Sequence, residues 1–438
     1  MTESTASCSS LFKALFTKGE RSGIQPASQK QKYQPACLEK RTSTDDTRTL
    51  CDSSPSATTA ANAKLTNTAA GAGATATAPF RPTVVIHGGA GPILRDNFPE
   101  DLQQKYRRAL AEATMAGYAV LTDPTFNDSQ SGPNSSSTRA VAAVEAAVRY
   151  MEDSPLFNAG VGAVFTEDGT NELEAAIVDG GKRLASGKIT PIAAGTVMTV
   201  KTVKNPISLA KSVMNDGLHV TLAGPEVTEK FALKVGGHDI VDNKHFFTES
   251  RYKQHLEDLE RRRNGGDDKA PAEPPTAHED GDPTILPKGT VGAVALDEFG
   301  NVAAATSTGG RTNKMSGRVG DTPVIGAGSY ASTADGAAVS ATGHGEYFMR
   351  TCVGFDMVAR VRYANQSLAD AANAAMDVVG QNGGEGGVVA VDSAGTVVFS
   401  VNSKGMYRGF ATKSITEGEQ VVPHVAIFTD EETKPFVL

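Results

Sequence analysis

The hydrophobic pattern of this chain begins late. Residues 1–79 are mostly Ser, Thr, Ala, Gly and Gln, and Ser53–Ala78 is almost entirely small residues. Such a stretch cannot bury enough apolar surface to offset the entropy of ordering, so a disordered tail is expected. Order starts at Thr83-Val84-Val85-Ile86, a short apolar strand running into His87-Gly88-Gly89-Ala90-Gly91. Glu100–Leu121 predicts a helix and Asp123–Ser136 a polar loop. Thr138–Met151 predicts a second helix, with Val141, Val144, Ala147, Val148 and Met151 at helical spacing. Further helices are expected at Ile207–Met214, Tyr347–Tyr363 and Leu368–Val379.

The pattern breaks a second time at 251–289. A charged helical segment, Arg251–Arg263, gives way to Asn264-Gly265-Gly266-Asp267-Asp268 and a Pro- and acid-rich run to Lys288. A compact domain seldom carries so long a linker without a functional reason. Alternation then resumes abruptly. Thr290–Asp297 reads as a strand, Glu298-Phe299-Gly300-Asn301 as a turn, and Val302–Thr306 as the returning strand of a hairpin. Strands are also expected at Val388–Val391, Thr396–Val401 and Val421–Phe428. Helices and strands in both halves predict an α+β fold with layered antiparallel sheets. The organisation is a tail (1–79), a first part of the globular region (80–289, with 251–289 as flexible linker) and a second part (290–438).

Charge and composition narrow the function. A net charge of −8 gives no reason to expect nucleic acid or an anionic membrane as partner. No apolar run approaches the ~20 residues of a membrane-spanning helix. Of the four cysteines, Cys8, Cys37, Cys51 and Cys352, only the last lies in the globular part, and no CxxC pair suggests zinc. A reducing compartment follows, the cytoplasm in the first instance. The basic and hydroxyl residues of the first thirty positions also suit a mitochondrial leader, against which Glu3 and Glu20 count.

The candidate chemistry gathers around the strand that begins at Thr290. A Thr hydroxyl needs a base to become a nucleophile. If the bond after Gly289 were cut, the freed α-amine of Thr290, titrating near ~8, would be that base. Thr306-Ser307-Thr308-Gly309-Gly310 closes the hairpin, so its hydroxyls can lie beside Thr290. Gly317-Arg318-Val319-Gly320-Asp321 offers a guanidinium for a carboxylate and a carboxylate for an ammonium, the two ends of an amino acid. Ala341-Thr342-Gly343-His344-Gly345-Glu346 offers a hydroxyl and a backbone N–H for an oxyanion. Taken singly, each string also reads as a turn, a surface ion pair or a helix start.

Together, and in this order, they resemble the N-terminal-nucleophile asparaginases, the group of plant-type asparaginases and isoaspartyl aminopeptidases. Val84–Pro92, Ser154–Gly180 with Pro155-Leu156-Phe157-Asn158-Ala159-Gly160, His219–Gly224 and Phe231-Ala232 extend the resemblance from residue 83 to the end. The resemblance implies a four-layer αββα sandwich and self-cleavage between Gly289 and Thr290. It implies hydrolysis of L-asparagine and of β-aspartyl dipeptides, so a small amino-acid or dipeptide substrate, and a homodimer of αβ units. Carried over residue by residue, Thr290 is the nucleophile and Thr308 its supporting hydroxyl. Arg318 holds the substrate carboxylate and Asp321 its ammonium, with Val319 and Gly320 between them. Thr342 and Gly343 form the oxyanion hole, flanked by His344 and Gly345, and Asn158 stands behind the nucleophile. No organic cofactor is implied. Backbone carbonyls of Met151, Glu152, Ser154, Phe157, Ala159 and Val161 are implied to hold a structural sodium ion.

The chain departs from the family pattern in its tail, in the Asp123–Ser136 insertion and at His344, where a small hydroxyl residue is commoner. Three other readings stay open at this point: a glycosylasparaginase, a protein-cutting threonine aspartase of the same fold, and a silent scaffold. A Gly rather than an Asp before Thr290 and the Arg318/Asp321 pair count against the first two; retention of Thr290 and Thr308 counts against the third.

Overall fold

The computed structural model describes residues 80–126, 138–265, 289–414 and 420–438. The tail, most of the Asp123–Ser136 loop and the Pro-rich part of the linker lie outside the described residues.

The elements follow in chain order. Strand β1 is Thr83–Gly91. Helices α1 (Glu100–Thr122) and α2 (Arg139–Glu152) come next, and the Thr138 hydroxyl caps α2 by accepting from Val141 N. Strands β2 (Leu173–Asp179) and β3 (Ala193–Val200) lead to α3 (Pro206–Asp216), β4 (Thr221–Ala223), α4 (Pro225–Val235) and α5 (Glu249–Arg263). After the linker come β5 (Val291–Leu296), β6 (Val302–Thr308), β7 (Ser329–Ser332) and β8 (Ala337–Gly343). Helices α6 (Gly345–Thr351), α7 (Val353–Ala364) and α8 (Leu368–Gln381) precede β9 (Gly386–Asp392), β10 (Val397–Val401), β11 (Gly405–Thr412), β12 (His424–Phe428) and β13 (Lys434–Pro435).

Two features differ from the sequence expectation, the first for a local reason. The single helix expected over Tyr347–Tyr363 is two, because Cys352 adopts left-handed angles (φ 47°) and Phe355 N turns to donate to Gly326 O. The sheets are antiparallel except where β4 lies parallel to β3.

A nine-stranded sheet runs β13-β12-β11-β1-β5-β6-β2-β3-β4 and a four-stranded sheet β10-β9-β8-β7. Strand alternation sorts the large sheet's side chains onto two faces. Val84, Ile86, Val291, Ala293, Ala295, Ala303 and Ala305 join Tyr106, Leu110, Val144, Val148 and Ile207 of helices α1, α2 and α3 in one buried cluster. The intervening residues Val85, Val294, Leu296, Val302 and Ala304 cluster with Ala331, Ala338, Val389 and Val391 of the small sheet. A third cluster joins Val339, Ala341, Val388 and Ala390 to Phe348, Met357, Ala372 and Met376 of α6, α7 and α8. Among the described residues, no helix is long and apolar enough to cross a membrane.

Candidate active site

The site lies where the surface between the two sheets stops being apolar. On β5 and β6 the positions facing the small sheet read Leu296, Val294, then Gly292 and Thr290, and Val302, Ala304, then Thr306 and Thr308. The hairpin pairs Gly292 with Thr306, so Thr290 and Thr308 sit together at its open end. The Thr290 hydroxyl donates to Thr308 Oγ1 across 3.1 Å. Thr308 Oγ1 also accepts from Gly310 N at 2.9 Å, which fixes its lone pairs. Thr290 is 7 % exposed, so the hydroxyl is close-packed yet reachable.

Thr290, Thr308, Arg318, Asp321, Gly343, His344 and Gly345 line one cavity of about 170 Å³, with Gly289 at its edge. Arg318 is held by Glu346, whose Oε1 accepts from Nη2 at 2.8 Å and Nε at 3.2 Å. Burial works against ionisation of Glu346, but the charge and hydrogen bond of Arg318 outweigh it and hold the carboxyl below its ordinary value. Asp321 is the opposite case. It is 4 % exposed, its Oδ2 has no hydrogen-bond partner among the described residues, and burial pushes its carboxyl up to about 7 against the pull of Arg318. A buried carboxylate oxygen without a donor is costly, and an ammonium ion entering the cavity would satisfy it.

Thr342 is fully buried and does not line the cavity, but its Oγ1 lies against Gly289 and accepts from Ala90 N at 3.3 Å. Gly343 has φ +151°, and a side chain there would strike Glu385 O and Gly386. The His344 ring is half-buried and leans on Tyr347, with burial and then Arg311 lowering its pKa. Among the described residues, Asn158 makes no hydrogen bond to Thr290. It holds the turn after Thr308 instead: Nδ2 donates to Gly310 O at 2.8 Å, Oδ1 accepts from Val164 N, and its carbonyl accepts from Gly309 N. Val319 is also outside the cavity, and Gly320 N donates to Glu174 Oε2 at 2.9 Å.

Residues 80–419 match the family described as Asparaginase. The chain belongs to the asparaginase family. It is 41% identical over 343 residues to an isoaspartyl peptidase of Salmonella typhimurium, covering 77% of this chain and 98% of that one. A putative isoaspartyl peptidase/L-asparaginase of Dictyostelium discoideum is 40% identical over 348 residues, with 75% and 93% covered. An isoaspartyl peptidase/L-asparaginase of Xenopus laevis is 40% identical over 326 residues, with 74% and 90% covered.

Several residues of this asparaginase-family site escaped the sequence reading. Glu346 ends the Ala341–Glu346 string that was read for Thr342 and Gly343, and its charge beside a Gly-rich loop was the available signal. Glu172, Glu174 and Lys314 brace the Arg318 loop: Lys314 Nζ meets Glu174 Oε1 at 3.2 Å and Glu172 O at 2.8 Å, and Gly317 N donates to Glu172 Oε2. An acid next to the apolar run Ala175–Val178 of β2 marked Glu174. Helix α5, placed by sequence at the head of a flexible linker, is docked. Arg251 is 2 % exposed and its Nε donates to Gly162 O at 2.7 Å. His255 bonds Asn313 Oδ1, while Asn313 Nδ2 donates to His255 O and to Asp258 Oδ2. Asn313 lies between Thr308 and Arg318, so α5 grips the loop that joins them, and its residues Gln254, Asp258, Arg261 and Arg262 line the cavity.

The Met151–Val161 loop has the donor chemistry of a site for a hard monovalent cation, all oxygen and no charge. Met151 O accepts from Ser154 N, and Glu152 O from Val161 N. Among the described residues, the carbonyls of Ser154, Phe157, Ala159 and Val161 take no hydrogen bond, which leaves lone pairs for an ion.

Proposed function

We propose that this asparaginase-family chain is a self-processing amidohydrolase that releases ammonia from L-asparagine and cleaves β-aspartyl dipeptides, with Thr290 as its N-terminal nucleophile. The observation that carries the reading is the partnerless buried oxygen of Asp321 beside Arg318, in the same cavity as the Thr290–Thr308 pair. That cavity matches a small zwitterion with its scissile carbonyl near a hydroxyl, and it argues against a protein-cutting protease.

In the uncut chain, Thr290 Oγ adds to the Gly289 carbonyl carbon and the Gly289–Thr290 amide C–N bond breaks. An ester and a free amine result; water hydrolyses the ester and leaves a Gly289 carboxylate. The amine then serves as base. It takes the Oγ proton as Oγ adds to the substrate's side-chain carbonyl. The oxyanion is met by the Thr342 hydroxyl, whose lone pair already accepts from Ala90, and by Gly343 N–H. The amine returns the proton to the departing nitrogen, and water frees aspartate from the acyl ester. Arg318 and Asp321 act throughout by holding the substrate's two charges.

Three buried clusters in the order helix–sheet, sheet–sheet, sheet–helix support a four-layer αββα arrangement. The Ser154, Phe157, Ala159 and Val161 carbonyls, with Met151 and Glu152, would hold a sodium ion that stiffens the loop bearing Asn158. Residues 80–289 and 290–438 would be the α- and β-subunit parts of the catalytic domain, and a homodimer of such αβ units is the proposed assembly. The test is intact mass measurement with time, followed by assay on β-Asp-Leu and asparagine. Two masses split before Thr290 and turnover of both substrates are expected. Turnover by a protein that stays one chain would overturn the mechanism.

A further inference from the structure

Cutting before Thr290 turns a mid-chain residue into a terminus, and termini fray unless something ties them down. The ladder between β5 and β6 begins at Val291 and Ser307, so Thr290 lies one residue outside it. Two hydrogen bonds hold Thr290 itself. One is its hydroxyl on Thr308. The other is its carbonyl, 3.0 Å from His87 Nδ1 on β1. A carbonyl can only accept, so Nδ1 carries the proton. Burial keeps the imidazole neutral, its pKa pushed down to about 3 against the raising effect of the Thr290 bond. Nε2 is therefore a bare acceptor, and the Ser340 hydroxyl donates to it across 2.8 Å. Thr306 Oγ1 stands 2.8 Å from Ser340 Oγ and supplies the next donor. Each hydroxyl has one longer alternative, Ala305 O at 3.3 Å from Ser340 and Gly328 O at 3.2 Å from Thr306, and the shorter contacts run from Thr306 to Ser340 to His87 to the Thr290 carbonyl.

The surroundings are built to admit this chain. His87 pairs with Gly292 across β1 and β5. A side chain at Gly292 would overlap both Ser340 Oγ and His87 Nε2. Glycine weakens a strand interior, and here it marks the place where another side chain must pass. His87, Thr306 and Ser340 are each fully buried, so none of them contacts solvent or serves solubility.

We propose that His87, oriented by Ser340 and Thr306, is the positioning residue that anchors the new N-terminus and keeps the Thr290 amine and hydroxyl in register after the cut. The proposal rests on the reading of Thr290 as nucleophile. His87 is no base: it holds no spare lone pair, and it touches the carbonyl rather than the hydroxyl.

The test compares wild type with His87→Phe, His87→Gln and Ser340→Ala, each incubated to complete cleavage and assayed per cleaved β chain on β-Asp-Leu. Backbone amide exchange is followed at Val291 and Gly292. In His87→Phe, kcat falls tenfold or more, on the order of what a fraction of an ångström of misplacement costs. KM stays within about twofold because Arg318 and Asp321 are untouched, and exchange at the two amides quickens. His87→Gln, which keeps an N–H donor, recovers much of kcat. Ser340→Ala, which leaves Nε2 without its donor, falls between. Wild-type kcat in His87→Phe overturns the proposal, as does an equal loss in Phe and Gln with exchange unchanged, since the ring would then only fill space. If His87→Phe neither folds nor cleaves, Ser340→Ala decides alone, and an unchanged kcat there overturns it. An uncut wild type with full activity is a separate result, because it removes the nucleophile assignment itself.

Discussion

Asp321 ties the site to pH. Its carboxyl is pushed up to about 7 by burial, and only the ionised form can hold a substrate ammonium. KM for β-Asp-Leu should therefore drop as pH climbs through about 7, and Asp321→Asn should raise KM and flatten that limb. A profile with the limb intact in the Asn variant would assign it elsewhere. Stability runs the other way. Between the ordinary value of 3.8 and about 7 the folded carboxyl keeps a proton that the unfolded one has lost. This group's contribution to stability is thus fully present below about pH 4 and is lost as pH rises towards 7. Thr290 separates hydroxyl from shape. Thr290→Ala should be folded, uncut and inactive by gel and assay. Thr290→Ser should cut itself and turn over roughly tenfold more slowly, because loss of the methyl frees χ1 and the hydroxyl is less well aimed. Activity in the Ala variant would remove Thr290 from the mechanism. Thr290, Thr308, Arg318 and Asp321 were legible as candidates because their strings, ambiguous one by one, stand in an order that resembles a known family. His87 was not. Its partners are 203 and 253 positions away in sequence, and no local pattern reports a contact made by folding alone.

At the scale of elements, the hairpin β5–β6 and helices α1, α2, α3 and α8 follow their periodicity to within a residue or two. Strand β2 was missed because every one of its residues is buried, which removes the alternation that marks a half-buried strand. The break at Cys352 is followed by Gly354, but a lone Gly inside a helical pattern does not by itself mark a stop. Helix α5 is the instructive case: its composition is that of a solvated charged helix, yet Arg251, His255 and Asp258 are buried. Asn313, which it grips, sits at φ 52°, a conformation Asn tolerates better than Ala. Asn313→Ala should lower Tm by several degrees and raise KM several-fold with kcat less affected, because the loop between Thr308 and Arg318 loses its brace. An unchanged KM would mean that the loop holds its own shape.

The whole molecule is laid out around a central strand that belongs to the other half of the sequence. β1, from the first part, lies between β11 and β5 of the second, while β2, β3 and β4 extend the sheet beyond β6. The family match begins at residue 80, so removing residues 1–78 should leave Tm and kcat unchanged; a fall in either would give the tail a role in the catalytic unit. The interleaved sheet has a consequence for how the protein can be remade. Before the cut, one chain finds its own partners, and refolding is first order. After it, β1 has to be captured between two strands of a separate molecule, and that capture needs an encounter in solution. Denatured mature protein should regain activity at a rate that climbs with its concentration, and its Tm should climb likewise, while the Thr290→Ala precursor shows neither dependence. Self-cleavage would then change the molecularity of folding, and a protein that assembles readily once would have to search for its other half to do so again.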